Sequence, residues 1–230
     1  MERQPHAGHT PKTHFDQIPV AVVKQIARPD KSPVKAPGRT GTSADAGHFH
    51  RVQFYNDPNA LCRIVADFIG EGLGQGIVAV LIATPEHATR IESCLRSRGH
   101  DVEALTRAGH LRRFDALETL RLFMVDGMPN AGAFRHAIGT LLTQARHGRE
   151  HCTIRAYGEM VDLLWKGGHE ASAIRLETLW NQLGGTHDFE LLCGYSMGNF
   201  YKGAAIDQIK GQHTHVVSDD DTDVSAPAEL

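Results

Sequence analysis

The sequence predicts an α/β fold: a three-layer, mainly parallel sheet with helices on both faces. Three observations predict it. The run IVAVLIA (residues 77–83) is too short for most helices and apolar at every position, as a strand covered on both faces requires. Segments with helical periodicity alternate with such runs, which is the signature of a parallel sheet. At 230 residues and 41% hydrophobic content, the chain has enough apolar material for one sizeable core.

Each element follows from local chemistry. RVQFY (51–55) reads as a strand, and Asn56 or Asp57 then caps a helix with Pro58 near its first position. That helix has Leu61, Ile64, Val65, Phe68 and Ile69 on one face and stops at Gly72. After the strand 77–83, Thr84-Pro85 starts a helix that ends at Gly99. Asp115 and Glu118 have the spacing of a capping-box variant, opening a helix through LETLRLFMV until GMPN breaks it. Phe134, Ile138, Leu141 and Leu142 mark another helix, and CTIRAY (152–157) is a third strand. EMVDLLW and EASAIRLETLWNQL are helices separated by Gly167-Gly168, and FELLCGY (189–195) is a fourth strand.

Charge and composition divide the chain. Residues 1–47 hold six of the ten prolines and seven Lys/Arg against four Asp/Glu, and are expected to be a disordered extension or docking arm. Residues 218–230 carry five acids and no base, an expected acidic disordered tail. The domain between, residues 48–217, is close to neutral and offers no broad basic surface for nucleic acid. No apolar run reaches the ~18 residues of a membrane span, and MERQPHAGHT lacks the apolar core of a secretory signal. Cys62, Cys94, Cys152 and Cys193 are widely spaced in apolar settings, which fits reduced thiols in a cytoplasmic protein.

Motifs for standard chemistries are sparse. No phosphate-loop signature occurs, and GEGLGQG (70–76) lies between helix and strand, where a tight turn is its expected role. His48-Phe-His50 and His213-Thr-His215 are the close histidine pairs, and neither has a cysteine or acid at a recognised metal-ligand spacing, so no metal or cofactor is expected. GYSMG (194–198) follows a strand and is G-x-S-x-G by letter, which keeps a hydrolase using Ser196 as an alternative.

Chemistry concentrates where the strands end, since ligands of such sheets sit at the strands' carboxyl ends. Arg155, Tyr157 and Glu159 alternate at the third strand's end and are expected to project to one side. Tyr55, Thr84, His87 and Tyr195 lie near the ends of the other strands. Trp165, Glu177, Trp180 and Asn181 follow on the helices, with Glu177 and Asn181 at i, i+4 spacing. These eleven are the candidate ligand-binding residues. Four of them also have a plainer reading: Glu159 as a helix-start acid, Trp165 and Trp180 as core, and Glu177 as partner of a nearby arginine.

HFHRVQFYND, GLGQGIVAVLIATPEHATRIESCLRSRGHDV, FDALETLRLFMVDGMPN, RAYGEMVDLLWKGG, IRLETLWNQL and FELLCGYSM occur in that order. As a set they closely resemble the MEDS domain, the sensory domain of methanogen and methylotroph regulators, from about His48 to Val217. The resemblance implies a cytoplasmic sensing module for small hydrocarbon-derived compounds, similar in fold to RecA/KaiC-type ATPase cores but lacking their phosphate loop. It implies regulatory partners such as a histidine kinase or a transcription regulator. With no helix-turn-helix legible in residues 1–47, direct DNA binding is not expected. Two functions are carried forward. One is a sensory module binding a small molecule or partner without turnover, with Glu159 in a polar cluster ordered by Arg155. The other is an enzyme, either the Ser196 hydrolase or a degenerate nucleotide-binding ATPase.

Overall fold

The computed structural model describes residues 49–149, 151–199 and 203–217; the expected N-terminal extension and acidic tail lie outside these residues. Strand β1 (His50–Tyr55) passes through Asn56-Asp57 into helix α1 (Pro58–Gly70). The Asp57 carboxylate accepts the amides of Asn59 and Ala60 at 2.9 and 3.2 Å, and Pro58 has no amide that needs a partner. The glycine-rich segment after α1 is the tight turn its composition suggested. Gly72, Gly74 and Gly76 have φ of 73°, 80° and 111°, conformations that residues with a Cβ rarely adopt. The turn delivers the chain into β2 (Ile77–Ala83), and Thr84 caps α2 (Pro85–Ser97).

Helix α3 (Val102–Arg107) and strand β3 (Leu111–Asp115) follow, then α4 (Ala116–Arg121). A short hairpin comes next, β4 (Met124–Val125) with β5 (Met128–Pro129), before α5 (Ala131–Arg146). The chain continues through β6 (Thr153–Gly158), α6 (Met160–Lys166), α7 (Glu170–Gly184) and β7 (Glu190–Ser196) to α8 (Gly203–Lys210) and β8 (His215–Val217). The main sheet has the order β3-β2-β6-β7-β1-β8 with every pairing parallel. Helices α1 and α2 pack one face through Leu61, Val65, Ile69, Ile91 and Leu95. Helices α5, α6 and α7 pack the other through Phe134, Ile138, Leu164, Leu176 and Trp180. The architecture is therefore the α/β arrangement expected, with a mostly parallel sheet between helices.

One local expectation needs correction. The helix expected through LETLRLFMV ends at Arg121, because Asp126-Gly127 forms a hairpin turn with φ of 48° and 76°. Asp115 does cap α4, accepting the Glu118 amide at 2.9 Å, but it is also the last residue of β3. Strand β3, LRRFD, was not legible in the sequence: it is an edge strand, and its two arginines break the apolar pattern of a buried one.

Candidate functional site

Strands β2 and β6 end level with each other, Ile82 beside Gly158, so the residues just beyond them meet. The Glu159 amide donates to the Ile82 carbonyl at 3.2 Å and extends the ladder by one step. Its side chain makes no cap bond to its own helix α6. It turns instead to the start of α2, where its carboxylate accepts the Thr84 amide and the His87 Nδ1–H, the latter at 2.6 Å. The Tyr157 hydroxyl donates to the same carboxylate at 3.3 Å. Tyr157 reaches it by lying across β7, where a Cβ on Gly194 would sit 2.7 Å from the tyrosine oxygen. A glycine is required there.

One helical turn later, Asp162 is equally buried. Its carboxylate accepts the Ser196 amide at 3.0 Å, the Tyr55 hydroxyl at 3.1 Å and the Lys166 ammonium at 2.6 Å. Lys166 also lies over the Tyr55 ring, 5.9 Å from its centroid. Thr84, Pro85, Glu86, His87, Glu159, Asp162, Leu163 and Lys166 line an open cleft of about 450 Å³ at this carboxyl edge.

The electrostatics follow from burial and pairing. Burial pushes the Glu159 carboxyl up, but the His87 hydrogen bond and charge, with the Thr84 amide, outweigh it and hold the group below its ordinary 4.5. The hydrogen bond to Glu159 raises His87 above its ordinary 6.5 against the opposing effect of burial. Burial, then the Asp162 carboxylate, pushes Tyr55 up; burial, then Glu159, does the same to Tyr157. Each of the two carboxylates accepts from three donors. They hold His87 and Lys166 in place at the cleft wall.

The eleven candidate residues fall into four places. Tyr55, Thr84, His87, Tyr157 and Glu159 converge at this carboxyl edge. Arg155 does not join them, and the expectation that it orders Glu159 is wrong. It shares a sheet face with Tyr157 but lies two residues earlier, about 7 Å along the strand. There its guanidinium bonds Glu190, its neighbour across the strands, at 3.0 Å, and the carbonyls of Phe68 in α1 and of Glu71, the residue that caps α1, at 2.9 and 3.2 Å. Arg155 therefore caps a helix C-terminus.

Trp180 is core, edge-on to Phe134 at 5.2 Å and tilted against Phe189 at 5.8 Å. Trp165 is also buried, edge-on to Tyr195 at 6.0 Å. Glu177, Asn181 and Tyr195 form part of a second polar cluster, on the α7 face of the sheet. The Tyr195 hydroxyl donates to Glu177 at 2.8 Å, and Asn181 bonds His50 at 2.8 Å. Cys193 and His213 complete that cluster. Burial pushes the Glu177 carboxyl up, yet His213 and His50 hold it well below its usual range, while Glu177 raises His213 against burial. Burial and the adjacent Glu177 push the Cys193 thiol up.

Sequence reading missed Asp162 and Lys166 in the cleft. Their i, i+4 spacing within EMVDLLWK was the available signal. As for Ser196, its amide is held by Asp162, and the chain beyond it enters a short 3-10 turn, Met197–Asn199, where a nucleophile elbow leads into an α-helix.

The chain is thus an α/β protein whose mostly parallel sheet carries a polar cleft at its carboxyl edge. The particular family is given by comparison: residues 49–214 match the MEDS family, described as the MEthanogen/methylotroph, DcmR Sensory domain. The chain belongs to the MEDS family. That family is a sensory one, and the match covers nearly all of the described fold. A comparison with curated proteins finds no match. Among the described residues, no helix is long and apolar enough to cross a membrane.

Proposed function

We propose that this chain is a cytoplasmic sensory module that binds a small hydrocarbon-derived molecule in the cleft between α2 and α6, without turning it over. The observation that carries the reading is the pairing of His87 with Glu159 and of Lys166 with Asp162 on opposite walls of one cleft. Both carboxylates are 2% exposed, whereas the His87 side chain is 13% and the Lys166 side chain 41% exposed. Cationic donors thus face the solvent side while their counter-charges stay behind them. Pro85 and Leu163 supply apolar wall for a short carbon skeleton, and His87 and Lys166 supply donors for its polar group. The all-parallel sheet supports kinship with RecA/KaiC-type cores. The direct run from β1 through Asn56-Asp57 into α1 fits the lack of a phosphate loop. Four free cysteines suit a reducing compartment. Since α2 and α6 both start at the cleft, a ligand bridging them shifts two helices at once and so reaches a regulatory partner.

A panel of C1 to C6 alcohols, aldehydes, carboxylates and halogenated hydrocarbons, titrated by calorimetry, tests this reading. Saturable binding of at least one compound is expected, weakened about tenfold or more in Lys166→Met and in His87→Gln, the loss of one charge-assisted hydrogen bond. Turnover of ATP or of ester substrates that is abolished by Ser196→Ala contradicts the reading in favour of an enzyme. Binding unaffected by both cleft substitutions places the ligand elsewhere and also contradicts it.

A further inference from the structure

On the other face of the sheet, four side chains from four separate elements aim at one point. His50 comes from β1, Glu177 from α7, Cys193 from β7 and His213 from the segment between α8 and β8, and their donor atoms all lie within 4.8 Å of one another. We propose that His50, Glu177, Cys193 and His213 are the ligands of a closed, tetrahedral site for a divalent transition metal of the zinc class.

The spacing fits. A tetrahedral ion with bonds of about 2.0–2.1 Å to nitrogen or oxygen and about 2.3 Å to sulfur sets its N and O donors about 3.3 Å apart, and sulfur about 3.6 Å from each. His50 Nε2 is 3.2 Å from Glu177 Oε2 and 3.3 Å from Cys193 Sγ. Cys193 Sγ is 3.6 Å from the same Glu177 Oε2, while His213 Nε2 lies 3.4 Å from the other carboxylate oxygen, Oε1, and within 4.8 Å of the donor atoms of the other residues.

The surroundings fit as well. His50 Nδ1 meets Asn181 Oδ1 at 2.8 Å, and Asn181 Nδ2 in turn donates to the Gln212 carbonyl at 2.8 Å, which sets the amide's orientation. His213 Nδ1 meets the Ile209 carbonyl at 2.8 Å. Both Nδ1 atoms therefore carry the proton, and both Nε2 lone pairs point inward. This is how a metal-binding histidine is oriented by its outer partners. His213 Nε2 is buried and, despite its proximity to Glu177, makes no hydrogen bond of acceptable geometry. Tyr195 donates to Glu177 at 2.8 Å and orients the carboxylate.

Charge closes the argument. Two neutral imidazoles, one carboxylate and one thiolate balance a divalent cation, so the loaded site is neutral in an interior where the side chains of His50, Glu177 and His213 have no exposure. Binding displaces the Cys193 thiol proton to solvent. A nitrogen, sulfur and oxygen donor set selects zinc-class ions over magnesium or calcium. With four protein ligands and no open position, the site is structural. It pins the C-terminal segment bearing His213 to the sheet, and it stands independently of the ligand cleft.

The test uses the full chain, expressed with added zinc and purified without chelator. Elemental analysis is expected to find about one zinc per chain. X-ray absorption at the zinc edge is expected to show one sulfur at about 2.3 Å among nitrogen and oxygen donors at about 2.0–2.1 Å. Cobalt substitution is expected to give a thiolate-to-metal charge-transfer band that Cys193→Ser removes and Cys94→Ser keeps. Asn181→Ala, which frees the outer side of His50, is expected to weaken metal affinity about 10–100-fold. If Cys193→Ser does not fold, the sulfur shell of the unaltered protein still decides. A chain that stays metal-free, a bound ion without sulfur, or a band that survives Cys193→Ser shows a hydrogen-bonded cluster only and overturns the proposal.

Discussion

The molecule builds the same trio twice, a buried glutamate with histidine and tyrosine, and uses it in two different settings. Glu159 meets His87 and Tyr157 at the carboxyl edge of the sheet. Glu177 meets His50, His213 and Tyr195 beneath α7. The difference is in the histidines. The His87 side chain reaches a cleft and is 13% exposed, whereas those of His50 and His213 are fully enclosed. A carboxylate one layer from water organises a surface that a ligand can enter. A carboxylate with no route to water must be neutralised from within, so its neighbours become structural.

Substitutions can break this contrast. Glu177→Ala leaves the Tyr195 hydroxyl and the enclosed histidines without their shared carboxylate and is expected to cost about 3–5 kcal/mol in denaturant unfolding. Trp180→Ala, one helical turn along α7, is expected to cost a similar 3–5 kcal/mol, because it empties the space between Phe134 and Phe189. A Trp180→Ala protein of undiminished stability contradicts its core role. Glu159→Ala lies between the surface and buried limits for ion pairs and is expected to cost about 2 kcal/mol. A loss as large as that of Glu177→Ala erases the contrast. Gly194→Ala drives a methyl group against the Tyr157 hydroxyl and is expected to cost about 1–3 kcal/mol, read as a lowered denaturation midpoint.

Acidity sharpens the comparison at the cleft. His87 is raised above 6.5 in the fold, so its contribution is complete below 6.5 and fades as pH rises through the folded value. Glu159 is lowered below 4.5, so its contribution is complete above 4.5 and fades as pH falls through the folded value. The pair therefore stabilises most between pH 4.5 and 6.5. The difference in stability between the natural protein and a His87→Gln, Glu159→Gln double variant is expected to peak in that window. A flat difference from pH 4 to 9 contradicts the pairing.

Sequence patterns revealed the sheet class, the strands at 51–55 and 77–83, the cap at Asp57 and the glycine turn, because each is set by local periodicity or backbone chemistry. They did not reveal the partner of Glu159. Alternation placed Arg155, Tyr157 and Glu159 on one side of a strand, yet it says nothing about how far along that side another helix ends. The carbonyls at the end of α1 capture Arg155 before it reaches the edge. The Glu177 cluster was hidden for a related reason. Its histidines stand 163 positions apart, at 50 and 213, and only the pairing of β1 with β7 and β8 brings them to Cys193. In the pair at 213 and 215 the second member is at the surface: His215 is exposed and stacks on Phe49 at 5.5 Å.

His87, not Arg155, is the partner of Glu159, and the pair makes the cleft a pre-organised unit of α2 and α6. Two double-mutant cycles on stability in one buffer at pH 6 test it, pairing Glu159→Gln with His87→Gln and with Arg155→Met. A coupling of about 1 kcal/mol or more is expected for Glu159 with His87, and additivity within about 0.5 kcal/mol for Glu159 with Arg155. Coupling to Arg155 together with additivity toward His87 contradicts the account and returns Glu159 to the cluster that alternation along the strand suggested.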